Sequence, residues 1–182
     1  MIKPSKFPAS SDYYHACLSK VILPMDYAKR LSDWTNDPKD FLLYLGSPGV
    51  GKTYFCAALQ NLRSDEKKSC YYINERDFFS GLRDCISNNW DYNLEIEKFS
   101  QQPFIIFDDL GSSRTELTDW QKEALFILID NRSMNRLPTI ITSNLYLSNI
   151  KEKFEPRFHS RLAAARNTIL QLKEDDLRQR TA

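Results

Sequence analysis

Long apolar runs are missing from this 182-residue chain. No stretch approaches the roughly 18 apolar residues that a membrane-spanning helix needs. Residues 1–8 also lack the apolar segment of a secretory signal. These absences predict a cytoplasmic protein that has no membrane partner.

An excess of one charge and a metal-binding cysteine pattern are missing as well. Twenty-five Lys and Arg side chains stand against 24 Asp and Glu, which gives a net charge of +1. That balance argues against a broad basic coat, although it leaves room for a local basic groove. The four cysteines show no C-x-x-C spacing and no accompanying histidine cluster, so we do not expect a zinc site.

Glycine is scarce, and three of the five glycines fall within residues 46–53. This stretch reads GSPGVGKT and fits the pattern G-x-x-x-x-G-K-[ST]. It follows an apolar run at 41–45, which predicts a buried strand, and precedes helical spacing at 54–60. A glycine turn beside an ordinary surface lysine is the alternative. The predicted nucleotide-binding residues are Gly46, Ser47, Pro48, Gly49, Val50, Gly51, Lys52, Thr53 and Tyr54.

The chemistry of phosphate binding explains these residue types in this order. Glycines let the backbone curl so that successive N–H groups point at phosphate oxygens. The helix that follows adds the positive end of its dipole. We expect Lys52 to reach the β- and γ-phosphates, and the Thr53 hydroxyl to bind Mg²⁺.

Two acidic residues, Asp108 and Asp109, end a second apolar run at 104–107. A strand buried on both faces places its last residues where open α/β sheets bind ligands. We therefore expect Asp108 to hold Mg²⁺ through water and Asp109 to orient or deprotonate the attacking water. A strand end that simply meets a loop is the ordinary alternative.

Three further polar residues are candidates for a catalytic role. Asn144 ends the next apolar strand, where its amide could hold the attacking water; a turn asparagine is the alternative. Arg157 and Arg161 are four residues apart and therefore lie on one helix face. They are either a surface pair or arginines that reach the nucleotide of a neighbouring subunit.

Strand and helix patterns alternate along the chain. Further strands are predicted at 70–74, 104–111, 139–144 and 168–172, with helical segments between them. This alternation predicts an α/β fold with a parallel sheet between layers of helices. We expect residues 1–40 to form an N-terminal arm with short helices, and residues 41–182 to form the nucleotide-binding domain.

These motifs, in this order, resemble the DnaC/DnaI/IstB-like branch of the AAA+ ATPases over about residues 40–180. The resemblance is carried by 46–53, 105–111, 120–123, 129–132, 138–145 and 157–162. It implies a P-loop NTPase fold of the ASCE type, a three-layer sandwich with five parallel strands in the order 5-1-4-3-2. It also implies Asn144 as sensor 1, Arg161 as the arginine finger with Arg157 beside it, and Arg178 at the sensor 2 position. Little sequence follows Leu172, so the helical lid is expected to be reduced or absent.

The resemblance also implies an activity and partners. Members bind ATP and Mg²⁺, hydrolyse ATP, associate side by side through the arginine-finger face, and engage single-stranded DNA while they load a replicative helicase or assist a transposase. A cation next to an aromatic ring suits a stacked single strand. The candidate DNA contacts are Arg76, Arg83, Arg114, Trp120 and Lys122, for which solvated charge and a core tryptophan are the ordinary explanation.

Two other functions fit the same residues. One is a nucleotide-gated binding module with negligible hydrolysis, because Asp109 is one methylene shorter than the usual AAA+ glutamate. The other is a small-molecule P-loop kinase, which would need a lid over the phosphates, and only residues 87–102 could supply one. Release of phosphate to water, without a phosphorylated product, would exclude the kinase.

Overall fold

The structure is a computed structural model that describes residue 2, residues 11–113 and residues 115–172. Its elements, in chain order, are α1 (Ser11–Tyr14), a 3₁₀ turn (Leu18–Lys20), α2 (Met25–Asn36), β1 (Phe41–Gly46), α3 (Lys52–Asp65), β2 (Tyr71–Asn74), α4 (Glu75–Ser87), α5 (Tyr92–Ser100), β3 (Ile105–Asp108), α6 (Asp119–Met134), β4 (Thr139–Ser143), α7 (Leu147–Lys153), α8 (Pro156–Leu162) and β5 (Thr168–Leu172). Arg114, Arg178 and the segment that bears on the lid prediction lie outside the described residues.

The five strands form one parallel sheet in the order β2-β3-β4-β1-β5. This confirms the predicted order, read from the opposite edge. The register places Leu43 beside Ile141 of β4 and Ile169 of β5, and Phe107 of β3 beside Ile141 on its other side. All residues of β1, β3 and β4 are buried.

Two hydrophobic layers cover the sheet because successive strand residues point to opposite faces. One layer includes Leu43 and Phe107 and packs against apolar side chains of α4, α5, α6, α7 and α8. The other includes Leu42 and Ile106 and packs against α2 and α3. The result is the expected three-layer sandwich, in which helices on both faces explain why the central strands are buried throughout.

Part of the predicted arm contributes to this core. Leu31 and Trp34 of α2 are buried in the same layer as Leu42, and the Trp34 indole donates to the Lys39 carbonyl at 2.9 Å. The Trp34 ring also meets Phe104 edge-on, with 5.8 Å between ring centroids. Helix α2 is thereby fixed against this face of the sheet.

Side chains take over backbone hydrogen bonds where two of the helices end. Helix α1 ends at Tyr14, and the Asn61 amide of α3 donates to the carbonyls of Tyr13, Tyr14 and Ala16. Helix α8 ends at Leu162, and the Asn167 amide donates to the carbonyls of Arg161 and Leu162. Helix α7 was not predicted. Within the described ranges, no helix is long and apolar enough to cross a membrane.

Arg132 of α6 connects several elements at the amino-terminal ends of the strands. Its side chain is fully buried and donates from Nη1 to the carbonyls of Ser100 and Gln102, both at 2.7 Å. Nη2 donates to the Pro138 carbonyl at 2.8 Å, and Nε donates to the Thr139 hydroxyl at 2.6 Å. One guanidinium therefore joins α6 to the end of α5 and to the start of β4.

We predict that Arg132→Met lowers the free energy of unfolding by about 3 kcal/mol, because the carbonyls of Ser100, Gln102 and Pro138 lose a charged donor at about 1–3 kcal/mol each. Urea unfolding followed by circular dichroism would measure the loss. Arg83→Met, at an exposed position on α4, is the matched control and should change stability by less than about 0.5 kcal/mol. Equal stability of the two variants would contradict this account of Arg132.

Candidate functional site

The turn between β1 and α3 requires glycine for two different reasons. A Cβ on Gly46 would lie 2.7 Å from the Leu172 carbonyl oxygen of the neighbouring strand, too close for any other residue. Gly51, the N-cap of α3, has a φ of 81°, in the left-handed region that L side chains rarely adopt. Beneath the loop, the Tyr44 hydroxyl donates to the Val50 carbonyl at 3.0 Å, a support that the sequence did not reveal.

Lys52 begins α3 and is only 6% exposed. Its ammonium donates to the carbonyls of Gly46 at 2.7 Å and Ser47 at 2.9 Å, so the side chain curls under the loop. Burial lowers the pKa of Lys52, and the nearby carboxylates of Asp109 and Asp108 partly oppose that shift. A cation is thereby held at the N-terminal end of a helix, facing two acids.

A cavity of about 390 Å³ joins the loop to the two strand ends that follow β3 and β4. It brings together predicted residues that lie far apart in sequence. Its lining residues are Tyr13, Pro48, Gly49, Gly51, Lys52, Thr53, Tyr54, Asp109 and Asn144. Of these, Tyr13 was not predicted.

Asp108 lies behind this cavity and is 3% exposed. Its Oδ2 accepts from the Tyr72 hydroxyl at 2.8 Å, its Oδ1 accepts a short hydrogen bond from the Thr142 hydroxyl, and the Cys56 thiol approaches Oδ1 at 3.7 Å. Sequence reasoning missed Tyr72 and Thr142 as partners of this acid. Both could have been found from the alternation of side chains along a strand. Tyr72 and Thr142 lie on the two strands that flank β3, and their side chains point to the same face of the sheet as Asp108.

Asp109 faces the cavity and has a different environment from its neighbour. Its backbone adopts a left-handed conformation with a φ of 59°, and its carboxylate accepts a long hydrogen bond of 3.4 Å from the Asn144 amide. Partial burial raises the pKa of Asp109, and the charge of Asp108 raises it further, whereas Lys52 acts in the opposite direction. The site thus holds one enclosed carboxylate and one carboxylate that is open to a ligand.

These donors suit Mg²⁺ bound together with phosphates. Mg²⁺ prefers oxygen ligands, keeps several waters, and usually takes only one or two carboxylates from a protein. The Thr53 hydroxyl and Asp109 carboxylate share the cavity, and Asp108 stands directly behind. Across the described ranges, no cluster of three or more His, Cys, Asp or Glu side chains could hold a metal by itself.

A second cavity of about 460 Å³ adjoins the same loop and was not predicted. It is lined by Lys20, Val21, Ile22, Gly49, Val50, Gly51 and Tyr54. The segment that supplies its apolar wall is held in place by α3, since the Cys17 amide donates to the Tyr54 hydroxyl at 3.4 Å. The only sequence signal was the apolar triplet at residues 21–23, just before Pro24.

The two candidate arginines of α8 lie outside both cavities. Arg161 Nε donates to Asp130 of α6 at 2.5 Å, and Arg157 pairs with Glu155 at 2.6 Å and with Glu123 of α6. Both guanidinium groups are partly exposed on the outer surface of the domain. The structure therefore does not bring them to the nucleotide site of their own chain.

The candidate DNA contacts are dispersed. Arg76 and Arg83 are exposed on α4. Trp120 is half-buried and meets Phe79 edge-on, with 6.0 Å between ring centroids, so its ring belongs to the core on one side. Lys122 lines a cavity of about 290 Å³ that also contains acidic side chains.

Comparison with known families and proteins gave several matches. A family model described as IstB-like ATP binding protein matches residues 26–180. The replicative helicase loader DnaI of Bacillus subtilis is 27% identical over 132 residues, which is 71% of this chain and 40% of DnaI. A protein of insertion sequence IS232 from Bacillus thuringiensis, described as ATP-binding, is 26% identical over 120 residues, 65% of this chain and 46% of its own. The chain spans less than half the length of these curated relatives.

Solved structures share the fold. The DnaC helicase loader superposes with a TM-score of 0.72 at 24% identity, covering 90% of this chain and 100% of that chain. The replication initiator DnaA bound to AMPPCP and single-stranded DNA superposes with a TM-score of 0.69 at 15% identity, covering 86% of this chain and 50% of that chain. At these identities the likeness concerns the fold alone.

We predict that Asp109→Asn stabilises the protein at neutral pH. Because folding raises the pKa of the Asp109 carboxyl, its protonated form favours the folded state. That stabilisation is present below the unfolded pKa and is lost as the pH rises through the folded pKa. The amide avoids this loss. The gain should be below about 1 kcal/mol, or roughly 2–4 °C in Tm, because solvent screens a half-exposed carboxylate.

Thermal melts between pH 4 and pH 8 would test the prediction. The Tm difference between Asp109→Asn and the wild type should shrink as the pH falls. Asp33→Asn, at an exposed position on α2, is the control and should show no such trend. A variant that is less stable than the wild type at pH 8 would contradict the assignment.

Proposed function

The chain belongs to the family of IstB-like ATP binding proteins, and from this premise we propose that it is a magnesium-dependent AAA+ ATPase that acts on DNA-bound assemblies in replication or transposition. The observation that carries the proposal is the cavity in which Lys52 and Thr53 of the loop face Asp109 and Asn144 of the strand ends. This function would place the protein in the cytoplasm.

The residues of the loop would bind the phosphates. Backbone N–H groups of residues 46–51 and the N-terminal end of α3 suit negative charge, and Lys52 would exchange its loop carbonyls for β- and γ-phosphate oxygens. The apolar cavity beside Val21 and Ile22 is placed to receive the base. We further assign Arg178 as a sensor 2 arginine on the family resemblance alone.

The strand ends would organise the chemistry. Asp109 would hold the attacking water and take its proton, a role that suits an acid whose pKa lies above the ordinary value. Asn144, which already contacts Asp109, would fix the same water. Thr53 and Asp108 would hold Mg²⁺, with Asp108 acting through water. When bound, Mg²⁺ neutralises charge on the phosphate oxygens. The products would be ADP and phosphate.

Self-association would complete the site. Arg161 lies beside Asp130 on the outer surface, so it could only reach the nucleotide of another copy; Arg157 lies one turn away on the same helix.

We propose single-stranded DNA as a ligand, contacted by Arg76, Arg83, Arg114, Trp120 or Lys122, and a replicative helicase or a transposase as the partner. Support comes from the similarity to DnaI, a replicative helicase loader, and to an ATP-binding protein of the insertion sequence IS232.

One observation favours a nucleotide switch with negligible turnover as the second candidate. The Asp109 side chain is short and meets Asn144 only at 3.4 Å, so the proposed base is held loosely on that side. The kinase is a weaker candidate. Its required lid would come from residues 87–102, yet Ile96 and Phe99 of α5 are buried in the core beneath the sheet.

We predict that Lys52→Ala weakens ATP binding by at least ~100-fold, because a buried cation that contacts the phosphates is lost. Asp109→Asn should leave the Kd for ATP within about threefold and lower turnover by ~100-fold or more. Binding would be measured by calorimetry with and without Mg²⁺, and turnover by release of phosphate to water. Lys68→Ala, on the surface link after α3, is the control. Equal turnover by Asp109→Asn and wild type would overturn the assigned base.

We also predict complementation between subunits. Arg161→Ala and Asp109→Asn should each be inactive alone, whereas a mixture should regain turnover, because one mixed interface joins an intact Arg161 to an intact Asp109. Asp130→Asn, which frees Arg161 without removing it, is the control and should stay active. A mixture no more active than either variant would argue that Arg161 does not act across subunits.

A further inference from the structure

Glu75 is a buried acid that the proposed chemistry does not use. It begins α4, is 0% exposed, and directs its carboxylate at the backbone of the loop that follows Asp109. Its Oε2 accepts from the Gly111 amide at 2.6 Å. Its Oε1 accepts from the Ser113 amide at 3.1 Å and from the Ser113 hydroxyl at 2.6 Å. A buried charge is tolerated only when it is well paired, and here three donors of one loop supply the pairing.

Lys153 holds the same two residues from the other side. It is the last residue of α7, and its ammonium donates to the Gly111 carbonyl at 2.7 Å and to the Ser113 carbonyl at 2.9 Å. Glu75 thus binds the N–H groups of Gly111 and Ser113, while Lys153 binds their carbonyls. We call this pair of side chains the loop clamp.

The clamped residues are directly connected to Asp109. The Ser112 amide donates to the Asp109 carbonyl at 3.0 Å, which closes a turn that begins at the left-handed Asp109. Leu110 is fixed to β4, since its amide donates to the Thr142 carbonyl at 2.8 Å and its carbonyl accepts from the Ser143 hydroxyl at 2.6 Å. An unusual backbone conformation persists only where its surroundings hold it on both sides.

We propose that Glu75 and Lys153 are positioning residues for ATP hydrolysis: the loop clamp fixes residues 110–113 so that the Asp109 carboxylate stays directed into the nucleotide cavity. This inference rests on the proposed function. Neither side chain lines that cavity, and both act through the backbone of the loop. Small displacements of a catalytic group are costly, about 10²-fold in rate for 1 Å, so two charged side chains can be retained for this purpose alone.

Two variants test the clamp. Glu75→Gln keeps the size of the side chain but turns one acceptor into a donor that faces loop N–H groups, and Lys153→Met keeps the apolar stem but removes the ammonium. Each should lower kcat by ~10–100-fold while the Kd for ATP stays within about threefold, since the phosphate-binding loop is untouched. The double variant should lose little more than the worse single variant, because both side chains hold one loop.

Hydrogen exchange gives a readout that does not depend on turnover. In Lys153→Met the Ser112 amide should exchange at least ~10-fold faster, because its bond to Asp109 loosens, whereas amides of β1 should keep their protection. Glu66→Gln and Lys151→Met are the matched controls; both residues are exposed, and Lys151 lies on the same helix as Lys153. These controls should alter neither kcat nor Ser112 exchange.

The outcomes separate the clamp from the proposed ATPase. An active wild type with unchanged kcat in both folded clamp variants would overturn the clamp and leave the ATPase standing. Unchanged Ser112 exchange in Lys153→Met would also overturn the clamp. A parallel fall of kcat and ATP affinity would mean that the variants only destabilise the domain, which contradicts a positioning role. An inactive wild type would overturn the hydrolysis itself and, with it, this role.

Discussion

Parallel pairing of β3 with β4 and of β4 with β1 is the constraint on which the site depends. Because all strands run in one direction, their carboxyl ends meet at one edge, where the β1 loop faces Asp109 and Asn144. At the opposite, amino-terminal ends of β3 and β4 the buried Arg132 guanidinium joins the neighbouring elements. Because the strands are parallel, the residues of the candidate site lie at their carboxyl ends, and the stabilising contacts of Arg132 lie at their amino-terminal ends.

Strand parity then gives two adjacent acids different surroundings. Asp108 points to the α3 face, where hydroxyls of Tyr72 and Thr142 enclose it. Asp109 follows the strand, turns left-handed, and reaches the cavity. Neighbouring carboxyl groups in unlike environments can take unlike roles, and the roles that we propose for Asp108 and Asp109 use this difference.

The alternating apolar runs were sufficient to predict a parallel sheet between helices, because strand and helix spacing are local patterns. The order of the strands was implied only by the family resemblance, and both the order and the family are confirmed. The roles of Asp109 and Asn144 stay predictions, although both line the predicted cavity. Contacts between distant segments were missed, since nothing in the local pattern around Glu75 indicates which loop it will meet.

The N-terminal segment shows why such distant contacts matter for function. Tyr13 lines one cavity and residues 20–22 line the other, and the two cavities share Gly49, Gly51 and Tyr54. The Asn61 amide of α3 holds the carbonyls around Tyr13 in place. A nucleotide that contacts this segment stabilises its docked position, and by linkage any partner that displaces the segment weakens nucleotide binding by the same free energy. The residues that the two cavities share, Gly49, Gly51 and Tyr54, are where a bound nucleotide would meet both the loop and this segment.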